Sequence, residues 1–231
     1  MASERWMEVT ANNLANVGTN GFKRDGVQFT DLYDRQLVSQ GGNGKPIGSI
    51  SSGIAGLSGY TIMQRGVINT SGNPLDVAIE SEKGLFAVDT GGGKTLYTRD
   101  GTFGINTKRE LIIPNGGQVL DTTGNPIVLP NGQIQIGKNG AIAVDGKKVA
   151  TIGLWDGKFL KAGANMFIAQ DKPTVLEGDA AQVRQGATEG SNVNSVDEMM
   201  AIINIGRSYE LAQKSMTQQD DLTQKLIQVL Q

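Results

Sequence analysis

Read for the spacing of its apolar side chains, the chain changes period twice. Over residues 2–16 the apolar positions recur at helical intervals, with Trp6 and Val9 on one side and Met7, Ala11 and Leu14 on an adjoining one, which predicts a short N-terminal helix. Asn16, Gly18, Asn20 and Gly21 follow. These residue types tolerate left-handed backbone, so they predict the end of the helix and a reversal of the chain. Asn12 and Asn13 sit inside the last helical turn although asparagine is a mediocre helix former, and their amides are expected to fasten the turn or a neighbouring chain. Residues 26–59 are polar and rich in Gly and Ser, loosest in "SQGGNGKPIGSISSGIAGLSG", and are expected to be an extended connector. Either it is a long surface loop or it orders only against partner subunits.

Across residues 60–189 the period shortens to two. Asp100-Gly101, Asn131-Gly132, Asn139-Gly140 and Asp145-Gly146 each lie between β-prone runs and predict hairpins, because these dipeptides supply the positive φ angles of tight turns. "IGLWDGKFL" predicts one more. Alternation places Ile134, Ile136, Ile142 and Val144 on a common inward face. The expected fold class is a mainly β central domain, a small barrel or sandwich of hairpins, with α-helical N- and C-termini.

From Ser195 onward the period lengthens again. Ile202, Ile205, Tyr209, Ala212, Met216, Gln219, Thr223, Leu226 and Leu230 recur at alternating three- and four-residue steps, the heptad spacing that keeps one stripe facing a partner helix. Ser195 with Glu198 reads as a capping box, and Asp197 adds negative charge at the positive end of the helix. From Val196 to Gln231 such a helix reaches roughly 54 Å at 1.5 Å per residue, longer than the β segment requires for cover. It is read either as an amphipathic helix folded on its own β domain or as a helix that pairs with the N-terminal one and with neighbouring subunits.

Composition narrows the chemistry. The chain has no cysteine and no histidine, which removes disulfides, the usual zinc and copper ligands and every His-based triad. Charges are scattered and sum to −2, so no electrostatic footprint for nucleic acid or anionic lipid stands out. No apolar run approaches the roughly 18 residues of a membrane helix, so no integral membrane segment is expected. Residues 1–16 carry charged and polar residues throughout and lack an apolar h-region, so export is expected without a cleavable signal peptide. The "GGGKT" run, Gly91 to Thr95, imitates a phosphate loop, but Val88 stands where the motif has its first Gly, and a strand-like run follows instead of a helix. Asp220-Asp221 are adjacent on a helix and do not converge. No catalytic residue, cofactor site or metal site is assigned.

Several stretches, in order along nearly the whole chain, carry a resemblance. "TANNLANVGTNGFKR" resembles the N-terminal motif of the flagellar rod and hook family of axial proteins. "QRGVINTSGNPLDVAIESEKGLFAV" resembles that family's entry into its β domain, "YTRDGTFGIN" its Y-T-R-x-G-x-F segment, and "EGSNVNSVDEMMAIINIGRSYELAQK" its C-terminal block. Two departures are visible. Family members begin earlier, with a G-(I/L)-Y-x-A-A-x-G-M-like start whose last Met coincides with Met1, which implies a trimmed chain or a displaced start. Glu82-Lys83-Gly84-Leu85 stands where the family has Gly-x-Gly-Phe, so a different turn is expected there.

The resemblance implies a non-enzymatic subunit of the bacterial flagellar basal-body rod, exported through the flagellum's own type III apparatus. Its partners would be itself and other rod and hook subunits in a helical tube that transmits torque to the hook. It further implies that residues 1–25 and 190–231 form a discontinuous helical domain, a coiled-coil-like inner layer, with the β domain of residues 60–189 outside. Carried onto this chain, Asn12, Asn13, Leu14, Asn16, Gly21 and Phe22 would fix the N-terminal helix and its turn. Asn192, Asn194, Tyr209 and the seam residues Ile202, Ile205, Ala212, Met216, Leu226 and Leu230 would do so for the C-terminal helix. The length favours a rod over a hook protein. The absence of an L-Q-x-G-x-G-V pattern in "PIGSISSGIAGLSGYTIMQRG" leans the reading to the proximal rod, with the distal subunit as the alternative. A secreted β-rich cell-wall-binding or cell-wall-hydrolysing protein, and a cap that assists assembly without remaining, are the readings from other classes.

Overall fold

Two helices frame a chain of short antiparallel strands in the computed structural model, which describes residues 2–31, 34–38, 46–51, 54–163 and 165–229. The chain divides into two units. One comprises Met1–Leu14, Asp25–Tyr60 and Asn194–Gln231, and the other Ala15–Arg24 and Thr61–Val193.

α1 spans Ala2–Ala15, all but its last residue in the first unit, and α2 of the same unit spans Ser195–Val229. The positions α1 buries most deeply are polar: Thr10 and Asn13 are 2 % and 1 % exposed, whereas Trp6 is 45 % exposed. Thr10 donates its hydroxyl to the Trp6 carbonyl at 2.8 Å, the back-bond that lets a hydroxyl sit inside a helix without an unpaired donor. The N-cap of α2 is Asn194, one residue before the expected Ser195. Its Oδ1 accepts the Val196 N–H at 3.1 Å, and its carbonyl accepts the Glu198 N–H at 3.1 Å. Ser195 is already helical, and the Glu198 side chain meets Asn13 of α1.

Residues 26–59, expected as an extended connector, contain strands that pair with one another. Asp25–Asp31 runs beside Ile54–Thr61, and Asp34–Val38 runs antiparallel to Pro46–Ser51. An extended polar chain satisfies its N–H and C=O groups most completely by such pairing, which a composition-based reading does not register. Part of the loosest stretch, residues 39–45 and 52–53, lies outside the described residues.

The second unit holds a nine-stranded sheet around Leu85–Asp89, a strand that pairs with Thr95–Thr98, Gln118–Val119 and Leu154–Asp156. That strand is buried on both faces. Phe86 and Val88 enter one apolar cluster with Phe103, Leu111 and Ile127, while Leu85 and Ala87 enter a second with Tyr97 and Phe167. It therefore reads as a continuous apolar run rather than an alternating one. A three-stranded meander, Ile134–Ile136, Ala141–Val144 and Lys147–Thr151, sets Ile134 opposite Val144 and Ile136 opposite Ile142, the shared face expected from alternation. Two further pairs, Val77–Ile79 with Val183–Gln185 and Ile68–Thr70 with Ala187–Glu189, join distant parts of the chain.

Of the expected hairpins, Asn139-Gly140 and Asp145-Gly146 turn the meander, and Asp145 and Gly146 have φ of 51° and 78°. Asp100-Gly101 turns no hairpin. A Cβ on Gly101 would lie 1.8 Å from the Val77 carbonyl oxygen, and its own carbonyl accepts the Val77 N–H at 2.9 Å, so this glycine permits close approach of a distant strand. Asn131-Gly132 likewise precedes a strand that pairs forward, with Asp145 accepting the Gln133 N–H. In "IGLWDGKFL" the strands Leu154–Asp156 and Phe159–Gly163 pair with other partners, Thr174–Val175 and Met166–Ala169 among them. The "GGGKT" run is the loop between Leu85–Asp89 and Thr95–Thr98, where the Asp89 carboxylate accepts the Gly91 N–H.

Candidate functional site

In α1 the buried Asn13 presents a carboxamide, which offers one acceptor and one donor side like a peptide group. Its Oδ1 accepts the Asp25 N–H at 2.9 Å, and its Nδ2 donates to the Asp25 carbonyl at 2.9 Å. The same Nδ2 lies 3.4 Å from Oε2 of Glu198, itself 1 % exposed on α2. One asparagine thus ties α1, the first strand and the root of α2 within the first unit. Asn12 is exposed and Leu14 half-buried on the same helix.

After α1 the chain turns within the second unit. The Thr19 N–H donates to the Asn16 carbonyl at 3.1 Å, and the Thr19 hydroxyl donates to Asn16 Oδ1 at 3.1 Å. Gly21 has φ +68°, and a Cβ there would sit 2.5 Å from the Arg99 carbonyl carbon and from the Asp100 nitrogen. No other residue fits both the handedness and the space. The Gly21 N–H reaches the Glu189 carbonyl at 2.7 Å. Phe22 is 2 % exposed, with the Lys161 ammonium 3.9 Å over its ring.

Beneath this turn lies a charged cluster that periodicity passes over. Glu189 is buried and accepts from Lys23 Nζ and the Gly66 N–H through Oε1, and from Arg99 Nε at 2.6 Å through Oε2. Lys23 also donates to the Gln64 carbonyl at 2.9 Å. The Arg99 guanidinium is completed by the Gly84 carbonyl at 2.7 Å and the Ser81 carbonyl at 2.6 Å. Burial pushes the Lys23 ammonium below its ordinary value; Glu189 opposes that shift, while Arg99 and Arg65 repel the charge. The only cue in the sequence was charge set beside strand-like apolar residues, in "GFKR" and "LYTRDG".

Asn192 repeats Asn13's device. Its Oδ1 accepts the Arg24 N–H at 2.7 Å, and its Nδ2 donates to the Ile62 and Gln64 carbonyls, both at 2.9 Å. Asn194, the other asparagine of that block, is the cap of α2.

Along α2, Ile202 is half-buried and Ile205 is 3 % exposed. Further on, Tyr209, Ala212 and Met216 are exposed, Met216 at 67 %. The Leu226 side chain and Leu230 lie outside the described residues. A groove of about 400 Å³ within the first unit is lined by Trp6 of α1 and by Met200, Ala201, Asn204 and Ile205 of α2. A second apolar stripe, Val196, Met199, Met200 and Ile203, is more than half exposed and was not expected from the heptad reading.

Among the described residues no group of acidic side chains is placed to hold a metal ion, and no helix is long and apolar enough to cross a membrane. The polar side chains collected here fasten chain segments to one another, and the apolar ones left outside form helical stripes.

Residues 184–229 match the family described as flagellar basal body rod FlgEFG protein C-terminal, and residues 78–144 match the flagellar hook protein FlgE/F/G D1 domain. The chain is 34 % identical to the flagellar basal-body rod protein FlgF of Mesorhizobium japonicum, over 100 % of this chain and 93 % of the relative. It is 31 % identical to the flagellar basal-body rod protein FlgG of Caulobacter vibrioides over 96 % and 93 %, and 29 % identical to that of Bacillus subtilis over 96 % and 92 %. The chain belongs to the family of flagellar basal-body rod proteins.

Proposed function

We propose that this protein is a structural, non-enzymatic subunit of the flagellar basal-body rod, which assembles helically through its terminal helices and transmits torque to the hook. The observation that carries the reading is the disposition of α2. Its 35 residues extend about 52 Å, yet cover reaches one face of its first turns, at Glu198 and Ile205 with Ile202 half-buried, while Tyr209, Leu211, Met216 and Leu222 further on stand exposed. A helix of this length that leaves so many apolar side chains in water is best accounted for by cover from other chains. In this reading residues 1–25 and 190–231 act as one discontinuous module in a coiled-coil-like inner layer, and residues 60–189 form a barrel- or sandwich-like outer domain. Asn12, Leu14, Asn194 and the seam from Tyr209 to Leu230 supply subunit contacts, while Asn13, Gly21, Phe22, Asn192 and the seam's first residues Ile202 and Ile205 fix the geometry in which the helices are presented.

The partners are further copies of the chain and other rod and hook subunits, reached by export through the flagellar type III apparatus. The assignment leans to the proximal rod; the FlgF relatives are 30 % to 34 % identical and the FlgG relatives 29 % to 31 %, and the two 34 % identities to FlgF relatives support the lean. Electron microscopy of basal bodies from a strain lacking the gene tests the reading. Truncated rods without hooks are expected, and complete hook-bearing basal bodies would contradict it.

A further inference from the structure

We propose that residues 19–24 form a latch on the second unit, one that opens and closes while the β-sheet core beneath it stays folded. The argument rests on how the buried cluster of Lys23, Arg99 and Glu189 shares its bonds. With Lys23 in place, two cations face one carboxylate, and Arg65 adds to the repulsion. With Lys23 withdrawn, Arg99 and Glu189 remain a one-to-one pair. Glu189 then keeps the Gly66 N–H on Oε1 and Arg99 on Oε2, and Arg99 keeps the Ser81 and Gly84 carbonyls. The Gln64 carbonyl that Lys23 leaves keeps the Asn192 amide. No charge of the cluster is left without a counter-charge, so the large penalty of breaking a buried ion pair does not arise on opening, and the loss at the Glu189 carbonyl is the single bond from the Gly21 N–H. The departing ammonium regains water.

The other ties of the segment have the same character. Asn165 Nδ2 donates to the Asn20 carbonyl at 2.8 Å, Lys161 Nζ to the Lys23 carbonyl at 3.1 Å, and the Arg24 N–H to Asn192 Oδ1 at 2.7 Å. Beside these side-chain tethers stand three backbone bonds, from the Gly21 N–H to the Glu189 carbonyl at 2.7 Å, from the Ile62 N–H to the Arg24 carbonyl at 2.8 Å and from the Asn192 N–H to the Phe22 carbonyl at 3.4 Å, and the apolar anchor is Phe22. The apolar clusters of the sheet contain no residue of the segment. A segment held by polar tethers over a self-sufficient core is the kind of element that opens sub-globally. Since α1 ends at Ala15, opening frees the covalent lead into that helix.

Native-state hydrogen exchange on the full chain tests this, comparing the amides of Gly21 and Arg24 with those of Leu111 and Leu120. The latter bond to the Ile127 and Ala87 carbonyls in the sheet. Gly21 and Arg24 are expected to exchange at least tenfold faster than Leu111 and Leu120, at a rate unchanged by low denaturant. Lys23→Met is expected to fold and to leave Leu111 and Leu120 within threefold of their original protection. Exchange of all four amides at one rate, with one denaturant dependence, would overturn the proposal. So would a Lys23→Met chain that fails to fold or that loses tenfold protection at Leu111 and Leu120.

Discussion

The side chain of Asn13 bonds both the N–H and the carbonyl of Asp25, each at 2.9 Å. It works as a piece of β-strand mounted on a helix, and it explains why an asparagine occupies the last turn of α1 at the expense of helix propensity. Replacing it with Ala removes both of these bonds, which is expected to destabilise the first unit by about 1–3 kcal/mol. Asn13→Asp is worse at neutral pH, because a carboxylate would face the Asp25 carbonyl and the Glu198 carboxylate where a donor stood. The raised pKa of the new carboxyl makes this extra loss disappear as pH falls. Thermal melts of both variants at neutral and mildly acid pH check the order and its convergence.

Gly21 carries a second constraint. With φ of +68° and a Cβ position 2.5 Å from the Arg99 backbone, Gly21→Ala meets both strain and a clash that backbone cannot yield to cheaply. A loss of at least about 2 kcal/mol in urea unfolding is expected, whereas Gly18→Ala, with nothing within 4 Å and no positive φ, is expected to change stability by under about 1 kcal/mol.

Glu189→Gln leaves Lys23 and Arg99 buried without a counter-charge. Breaking a buried pair from one side costs about 3–5 kcal/mol, so this variant is expected to be far less stable than Lys23→Met, although Lys23 and Glu189 touch each other. Equal losses in the two variants by chemical denaturation would contradict the account of the cluster.

A pH signature follows from Asp100. Burial, with the Asp76 carboxylate adding a smaller push, raises its carboxyl above the ordinary value, and the bonds from Thr102 only partly oppose that. The folded chain then holds this proton more tightly than the unfolded chain. The associated stability is present below the ordinary carboxylate value and is lost as pH rises through the raised one. Asp100→Asn is expected to flatten that part of the stability profile in urea melts across the acid range. An unchanged slope would contradict it.

The sequence was most legible where structure is local. The Asn139-Gly140 and Asp145-Gly146 turns, the shared face of Ile134, Ile136, Ile142 and Val144, and both helices follow from short-range spacing. Asp100-Gly101 and Asn131-Gly132 misled, because there the glycine accommodates Val77 or Asp145 from elsewhere in the chain, and a dipeptide does not reveal who its neighbour will be. The cluster of Lys23, Arg99 and Glu189 was missed for a related reason. Its members are 90 and 166 residues apart from Glu189, and charged residues are assigned to surfaces until a partner is seen. The expected packing residues divide in the same way: Asn13 and Asn192 have partners within the chain, while Met216 and Tyr209 stay exposed.

The central claim is that the exposed stripe of α2 is covered by other rod subunits, and a photo-crosslinking residue at Met216 in cells building flagella tests it most directly. The account predicts crosslinks from purified basal bodies to the terminal helical residues of another copy or another rod subunit. Crosslinks confined to the chain's own β domain, or none in basal bodies that contain the protein, would contradict it.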